Sequence, residues 1–316
     1  MRVAAIDCGT NSIRLLIADV VGETLTDVSR RMEIVRLGEG VDRTGRISSE
    51  AIDRTRRALI GYAAEIAELG ISQVRMVATS ASRDAENAED FRSMVRAVLG
   101  IDPEVITGDE EARLSFTGAV RGLAADPPYL VVDIGGGSTE FVTGRSTTEP
   151  TRSGKQNANP LSQRAISVDI GCVRMTERHL KSDPPTAAQI AAAEQDITAA
   201  VDTALAAVPG REARTLLGLA GSVTTVTALA LNLPEYDGSR IHHARVGYEA
   251  VAKVTADLLA ATVAERRALP VMHPGRADVI GAGALILRTI MERSGQSSVV
   301  ASEHDILDGM AWGLAR

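Results

Sequence analysis

Short apolar runs and longer amphipathic stretches alternate along the chain, and their order predicts the secondary structure. Residues 3–6 and 13–20 are mostly Val, Ile, Leu and Ala, which is typical of buried strands, and a turn follows near Gly22. The same order of patterns, two neighbouring apolar runs and then alternating helices and strands, begins again at residue 129. This repeat predicts an α/β protein built from a duplicated unit.

Helices are predicted where apolar residues recur at every third or fourth position after a capping residue. Ser48 begins one such segment, which ends at Gly70. Another helix opens within residues 107–111 and runs through Leu114 and Val120. An Ala-rich helix is predicted over residues 186–208. The other predicted elements are strands at 74–78, 103–106, 215–219 and 298–301, small-residue loops at 79–82 and 220–225, helices at 248–262 and 277–294, and a last helix from Asp305.

A loop of small residues follows the first strand of each half. Asp7 precedes the first loop and Asp133 precedes the second, which contains Gly135, Gly136 and Gly137. Glycines let backbone N–H groups approach an anion and point at it. An Asp at the end of a strand can hold a divalent cation against that anion. Two such loops that face each other across a cleft would hold a phosphate chain from both sides.

Length and charge narrow the possible architectures and partners. A chain of 316 residues, 45% hydrophobic and 24% charged, is long enough for two globular domains. Its net charge is −7 and neither half is basic, which argues against nucleic acid as a partner. The segment Asp126-Pro127-Pro128 is the predicted domain boundary, because two prolines stop a helix and stiffen a linker.

Other patterns exclude several kinds of site. Cys8 and Cys172 have neither redox nor metal spacing, and they fit a reducing cytoplasm. The histidines show no zinc pattern, and no dinucleotide-binding or Walker motif occurs. The chain starts directly with a strand and has no apolar run of membrane-spanning length, so we expect a cytoplasmic protein without a membrane partner. The polar segment 147–164 is predicted to be a hairpin tip of little functional content.

The motifs resemble those of the exopolyphosphatase / guanosine pentaphosphate phosphohydrolase (Ppx/GppA) family, in the actin–Hsp70–sugar kinase superfamily. They occur in the order of the family and cover nearly the whole chain: residues 7–14 (DCGTNSIR), 77–87 (VATSASRDAEN), 108–113 (GDEEAR), 133–140 (DIGGGSTE), 218–222 (GLAGS) and 302–309 (SEHDILDG). The resemblance implies the short form of the family, with two ribonuclease-H-like domains around a central phosphate-binding cleft. Those domains would be residues 1–126, joined by the C-terminal helix at about 304–316, and residues 127–303. A homodimer is also implied.

The resemblance places the catalytic base in the motif at 108–113. Glu111 aligns best and Glu110 is the alternative. Such a carboxylate would take a proton from the attacking water, which is worth about 10²–10⁴-fold in rate. Acidic residues are also favoured in the first turn of any helix, so a purely structural role stays open for both. Asp7 and Asp133 are implied as ligands of Mg²⁺ (or Mn²⁺), with Glu111 as a candidate third ligand.

Phosphate contacts are implied for the small residues of the loops and for two arginines. Arg14 lies on the strand after the first loop, where it contacts phosphate or lies on a solvated face. Arg83 contacts substrate or pairs with Asp84 or Glu86. The full set of implied substrate-binding residues is Thr10, Asn11, Ser12, Arg14, Arg83, Gly135, Gly136, Gly137, Ser138, Thr139, Gly221 and Ser222.

The function implied is metal-dependent release of terminal orthophosphate from inorganic polyphosphate. Hydrolysis of guanosine pentaphosphate uses the same catalytic set, and the motifs do not separate the two activities. With 3 Phe, 4 Tyr and 1 Trp the chain has few residues for stacking on a base, which favours polyphosphate. The Glu110-Glu111 pair argues against a sugar kinase. A non-catalytic sensor of polyphosphate or an alarmone would bind without turnover, but the presence of Asp7, Glu111 and Asp133 favours a hydrolase.

Overall fold

The computed structural model of the protein describes residues 1–145 and 163–315. The hairpin tip predicted at 147–164 lies almost entirely outside these ranges. Within them, no helix combines the length and apolar character that crossing a membrane requires.

The first half of the chain forms a five-stranded mixed sheet in the order β3-β2-β1-β4-β5. Its strands are β1 (Arg2–Cys8), β2 (Ser12–Val21), β3 (Thr24–Ile34), β4 (Val74–Ala78) and β5 (Glu104–Val105). The first three are antiparallel, and β4 and β5 run parallel to β1. Alternate residues of β1 belong to different hydrophobic clusters, so this strand is covered on both faces.

The second half forms a six-stranded sheet in the order β10-β11-β9-β6-β7-β8. Its strands are β6 (Tyr129–Ile134), β7 (Thr139–Gly144), β8 (Arg164–Val168), β9 (Thr215–Leu219), β10 (Arg245–Gly247) and β11 (Ser298–Ala301). Strands β6 to β8 are antiparallel, β9 runs parallel to β6, and β11 runs parallel to β9. This topology repeats that of the first sheet, which confirms the predicted duplicated α/β unit.

Thirteen helices of the described residues connect and cover the sheets. They are α1 (Val41–Thr44), α2 (Ser49–Glu68), α3 (Ser80–Asp84), α4 (Ala88–Leu99), α5 (Gly108–Val120), α6 (Cys172–His179), α7 (Ala187–Ala207), α8 (Ala220–Ala230), α9 (Gly238–Ile241), α10 (Tyr248–Ala260), α11 (Val263–Arg267), α12 (Ile280–Ser294) and α13 (Ile306–Leu314). Ser48 caps α2 as predicted, and Thr107 caps α5, which opens in the predicted segment. The first lobe is defined here as the first sheet with α1–α4 and α13, and the second lobe as the second sheet with α5–α12.

Two predicted loops are helical. Helix α3 begins at Ser80, directly after β4, and α8 begins at Ala220, directly after β9. The prediction of loops at 79–82 and 220–225 was wrong because small residues, which resemble loop composition, here make the tight first turn of a helix. Ala220 has a φ of 65°, and this left-handed residue turns the chain from strand to helix.

Helices α5 and α13 cross between the two sheets. Phe116 of α5 packs on the second sheet, whereas Met310 of α13 packs on the first. At the crossing, a methyl group on Gly118 would overlap the carbonyl oxygen of Asp305, and one on Gly309 would overlap that of Leu114. The two backbones are therefore in direct contact. The domain limits at 126 and 303 stay a prediction. Helix α5 was expected in the first domain, but it packs on the second sheet.

Candidate functional site

A cleft of about 540 Å³ lies where strands β1 and β6 end. Both small-residue loops line it, together with the start of α5 and the start of α8. The structure brings together most of the residues predicted for the site. Those that line the cleft are Asp7, Thr10, Asn11, Ser12, Arg14, Glu111, Asp133, Gly135, Gly136, Gly137, Ser138 and Gly221.

The two loops have the same internal hydrogen bond. The N–H of Gly9 donates to the carbonyl of Ser12 over 2.9 Å, and that of Gly135 donates to the carbonyl of Ser138 over 3.0 Å. The loops also touch, because a methyl group on Gly137 would lie 2.7 Å from the Oγ1 of Thr10. Only glycine leaves room for this approach.

Several donors of the loops are free to bind an anion. The N–H groups of Asn11, Gly136 and Gly137 find no acceptor among the described residues. The hydroxyl of Thr10 is buried and also has no partner there. The Ser138 hydroxyl is engaged, since it donates to Glu140 over 2.7 Å. Free N–H groups at the meeting point of two loops form a concavity that suits phosphate oxygens.

Glu111 lies in the first turn of α5 with its carboxylate at the cleft. Its side chain is 12% exposed and accepts a hydrogen bond from Arg83 over 2.8 Å. Burial is the main reason that the pKa of Glu111 is raised to about 7. Arg83 lowers this pKa, whereas the negative charges of Asp7 and Asp133 raise it further. A carboxyl group that titrates near neutral pH is suited to accept a proton from water.

Glu110 has a different environment from its neighbour. Its side chain is 46% exposed, pairs with Arg75 over 2.9 Å and does not line the cleft. Helical geometry explains the difference, because consecutive residues point about 100° apart around the axis. Of the two candidates for the base, Glu111 alone lies at the cleft.

Asp7 and Asp133 lie at equivalent positions in the two sheets. Arg14 donates to the Oδ2 of Asp7 over 2.6 Å, while the Oδ1 of Asp7 is buried without a partner among the described residues. Ser115 donates to Asp133 over 2.7 Å. Burial and then the charge of Asp305 raise the pKa of Asp133 to about 6, although Arg14 lowers it. Burial also raises the pKa of Asp7.

Glu140 is a further member of this acidic group that we did not predict as a site residue. It lies opposite Asp133 in the sheet register, as Arg14 lies opposite Asp7. Its buried carboxylate accepts hydrogen bonds from Ser138 and Ser167, each over 2.7 Å. Burial, followed by the charges of Glu111 and Asp133, raises the pKa of Glu140 well above its usual range. Arg14 and Glu140 each lie seven residues after the Asp of their loop, and this repeated spacing could have identified Glu140 from the sequence.

These carboxyl groups fit a divalent cation. Among the described residues, no three acidic, His or Cys side chains converge closely enough to enclose an ion. Mg²⁺ does not need such a cage, since it is usually held by one or two carboxylates, water and substrate phosphates. The Oδ1 of Asp7 is buried without a partner among the described residues, and burial raises the pKa of Asp133 and Glu140, which means that their charged forms are costly here without a cation.

The two predicted arginines have acidic partners. Arg14 lines the cleft, but its guanidinium is held by Asp7 and by Asp305, the N-cap of α13. Arg83 does not line the cleft and pairs with neither Asp84 nor Glu86; it donates to Glu111 instead. The structure therefore makes Arg83 a partner of the candidate base. Direct phosphate contact by either arginine stays a prediction.

Two predicted donors face the protein interior. Thr139 is fully buried on β7 and its hydroxyl donates to the carbonyl of Ile170. Ser222 is also buried, with its side chain against Gly283. Neither side chain lines the cleft. The sequence shows which residues carry a hydroxyl but not in which direction each one points.

Arg276 is a cleft residue that the sequence analysis missed. It follows a Pro-Gly turn, lies beside Gly221, and donates to the hydroxyl of Thr225 over 2.8 Å. Burial lowers its pKa, and no carboxylate of the described residues forms an ion pair with it. A partly buried cation at a cleft that has no ion-pair partner is suited to receive a phosphate group. No local motif marks this position.

Several known proteins are similar to this chain over nearly its whole length. The model of the Ppx/GppA phosphatase family matches residues 16–315. A Mycobacterium tuberculosis protein named exopolyphosphatase 2 is 49% identical, over 99% of this chain and 98% of its own. A crystal structure of an exopolyphosphatase-like protein has a TM-score of 0.91 at 44% identity and covers 99% and 98% of the two chains. The Aquifex aeolicus Ppx/GppA enzyme has a TM-score of 0.79 at 31% identity, over 100% of this chain and 99% of its own. The chain therefore belongs to the Ppx/GppA phosphatase family.

Proposed function

We propose that the protein is a metal-dependent exopolyphosphatase that releases orthophosphate from the end of inorganic polyphosphate. The observation that carries this proposal is the position of Glu111, a largely buried carboxylate with a pKa of about 7 at a cleft lined by two loops with free N–H groups. The likeness to the mycobacterial protein named exopolyphosphatase 2 supports the choice of substrate class.

In the proposed mechanism, the loops bind the terminal phosphates and Glu111 activates water. The N–H groups of Asn11, Gly136 and Gly137 donate to phosphate oxygens. Glu111 accepts a proton from the water as its oxygen attacks phosphorus and the bridging P–O bond breaks. Arg83 orients the carboxylate through its 2.8 Å hydrogen bond. Orthophosphate and a chain shorter by one phosphate are the products.

A divalent cation is part of this proposal because the cleft carries an excess of acid. Five acidic residues and four arginines line it: Asp7, Glu111, Asp133, Glu303, Asp305, Arg14, Arg30, Arg31 and Arg276. Asp7 and Asp133, with Glu140 and Glu111 close by, would hold Mg²⁺ or Mn²⁺. When bound, the cation offsets charge on the phosphate oxygens and on these carboxylates.

One observation favours guanosine pentaphosphate as a second candidate substrate. Part of the cleft wall is apolar and includes Met32, Val271 and Met272. A nucleoside could pack against such a surface, whereas a polyphosphate chain gains nothing from it. A cytoplasmic location and a homodimer stay predictions.

A substrate panel tests the proposal. We expect purified protein with Mg²⁺ to release orthophosphate faster from polyphosphate than from guanosine pentaphosphate or ATP, and EDTA to abolish release until Mg²⁺ is restored. Faster release from the pentaphosphate would make the protein an alarmone phosphatase. Binding of polyphosphate without release would contradict the enzyme and leave a sensor.

We expect Arg276→Ala to weaken polyphosphate binding and to raise KM by roughly 10- to 100-fold, since charge-assisted contacts to phosphate are worth about 1.5–3 kcal/mol. Arg276→Lys keeps the charge and should recover part of the loss. The measurement is steady-state release of orthophosphate over a range of polyphosphate concentrations. Arg245→Ala is the matched control, because Arg245 is an exposed residue outside the cleft. An unchanged KM in Arg276→Ala would contradict the role.

A further inference from the structure

Helix α6 joins the two lobes beside the phosphate loops, and Arg174 is the centre of this junction. Its Nε donates to the carbonyl of Gly137 over 2.7 Å, within the loop of the second lobe. Its Nη1 donates to Asp42 over 2.8 Å and its Nη2 donates to Asp84, both in the first lobe. The side chain is 13% exposed. One guanidinium thus connects a phosphate-binding loop to two acids across the cleft.

Two neighbours on the same helix face strengthen the junction. The carboxylate of Glu177 accepts from the N–H of Gly40 over 3.1 Å, again between the lobes. Arg178 donates to Asp42 over 3.0 Å and to Asp196 over 2.9 Å. Burial raises the pKa of Asp42, but the hydrogen bonds and charges of Arg178 and Arg174 outweigh it and keep the pKa below its usual value. Asp42 is therefore charged at neutral pH.

The packing around these bonds leaves almost no free space. The gap beside Arg174, Asp42 and Asp84 has a volume of about 10 Å³, which is room for one water molecule at most. A methyl group on Gly171, just before α6, would overlap the carbonyl of Gly136. The loop of the second lobe is thus held between α6 and Thr10 of the first lobe. Movement of α6 relative to Asp42 and Asp84 would change the distance between the two loops.

We propose that Arg174 is a positioning residue that holds the lobes closed through Asp42 and Asp84 and so sets the separation of the two phosphate loops. This inference rests on the proposed function, because the loops are taken to bind the substrate. Coupled charges in one network contribute interaction energies that correspond to roughly 2- to 150-fold in an equilibrium constant. Without the junction, the open arrangement becomes more populated and substrate binding weakens accordingly.

The test compares the double variant Asp42→Asn/Asp84→Asn with the wild type and with Asp202→Asn. Asp202 is a matched control, because it pairs with Arg293 over 2.7 Å between α7 and α12 of the second lobe alone. We expect the double variant to show a larger radius of gyration in solution scattering without ligand. Its KM for polyphosphate should rise about 10-fold while kcat changes less than about 3-fold. Asp202→Asn should leave the radius and KM unchanged.

Arg174→Lys provides a second variant should the double variant fail to fold. Lysine keeps the charge but cannot donate to Gly137, Asp42 and Asp84 together, so the same changes are expected at smaller size. An unchanged scattering profile in the variants would contradict the claim that Arg174 holds the lobes closed. An expanded profile with an unchanged KM would contradict the claim that this closure supports substrate binding. A lower unfolding temperature with neither change would reduce the network to a structural role. The scattering experiment does not depend on turnover and tests the lobe junction alone. Absence of activity on polyphosphate in the wild type would instead contradict the proposed function.

Discussion

Replacement of Glu111 by Gln is expected to lower kcat for orthophosphate release about 10²–10⁴-fold, with a smaller effect on KM. The amide has nearly the same shape and can still interact with Arg83, but it cannot accept a proton from water. Because the change acts on the chemical step, polyphosphate should still bind. The measurement is steady-state orthophosphate release, with substrate binding followed separately by calorimetry.

Glu110→Gln is the control for this prediction, since it makes the same chemical change one residue away. Its side chain pairs with Arg75 outside the cleft, so we expect kcat within about 2-fold of wild type, as for most exposed ion pairs. A large loss of kcat in Glu110→Gln with little loss in Glu111→Gln would show that Glu110, and not Glu111, is the base. Equally small losses of kcat in both variants would show that neither residue acts as a general base.

The pH dependence gives an independent measure of the same residue. A base acts when it is deprotonated, so kcat/KM should rise with pH up to the pKa of Glu111, about 7, and level off above it. The part of the rise centred near pH 7 is expected to disappear in Glu111→Gln, so that any remaining change at lower pH comes from Asp133, whose pKa is about 6. A bound cation stabilises the carboxylate form and would move the midpoint to lower pH. A profile that is flat between pH 5 and pH 8 would contradict this assignment.

Features written in local sequence were predicted well. Helix α2 starts at the predicted cap Ser48 and α5 opens within the predicted residues 107–111, because a cap depends on residues within one turn. Asp7 and Asp133 lie at the cleft because each is the last residue but one of a buried strand in a duplicated sheet. The pair Glu110-Glu111 could not be separated from sequence, because both acids suit a first helical turn and only the packing of α5 shows which one faces the cleft.

Features that depend on distant contacts were missed. Arg276 and Arg174 come from segments without a recognisable motif. Arg276 meets Thr225, 51 residues away in sequence, and Arg174 gains its acidic partners only when the lobes come together. Ser222 was assigned to a donor loop, although its side chain packs inward from the start of α8. Composition identifies candidate donors, whereas side-chain direction depends on the register of each strand or helix with the rest of the fold.

Replacement of Gly309 by Ala is expected to destabilise the protein by about 3 kcal/mol, at the upper end of the usual cost of overpacking. The new methyl group would overlap the carbonyl oxygen of Leu114. That atom belongs to the backbone of α5, so it cannot move aside as a flexible side chain would. The crossing helices must separate, and the N-terminal ends that carry Glu111 and Asp305 move with them.

Gly313→Ala separates this effect from the general consequence of placing alanine in α13. Gly313 is exposed one turn later on the same helix, and a methyl group there meets no atom within 4 Å. Alanine favours a helix over glycine by roughly 0.5–1 kcal/mol, so this variant should be as stable as wild type or slightly more stable.

Thermal unfolding is the measurement, and we expect the midpoint of Gly309→Ala to fall by roughly 5 °C or more. If both variants unfold at the wild-type temperature, the helices are not in contact at Gly309. If Gly309→Ala loses stability but keeps full activity, the crossing supports the fold without positioning Glu111.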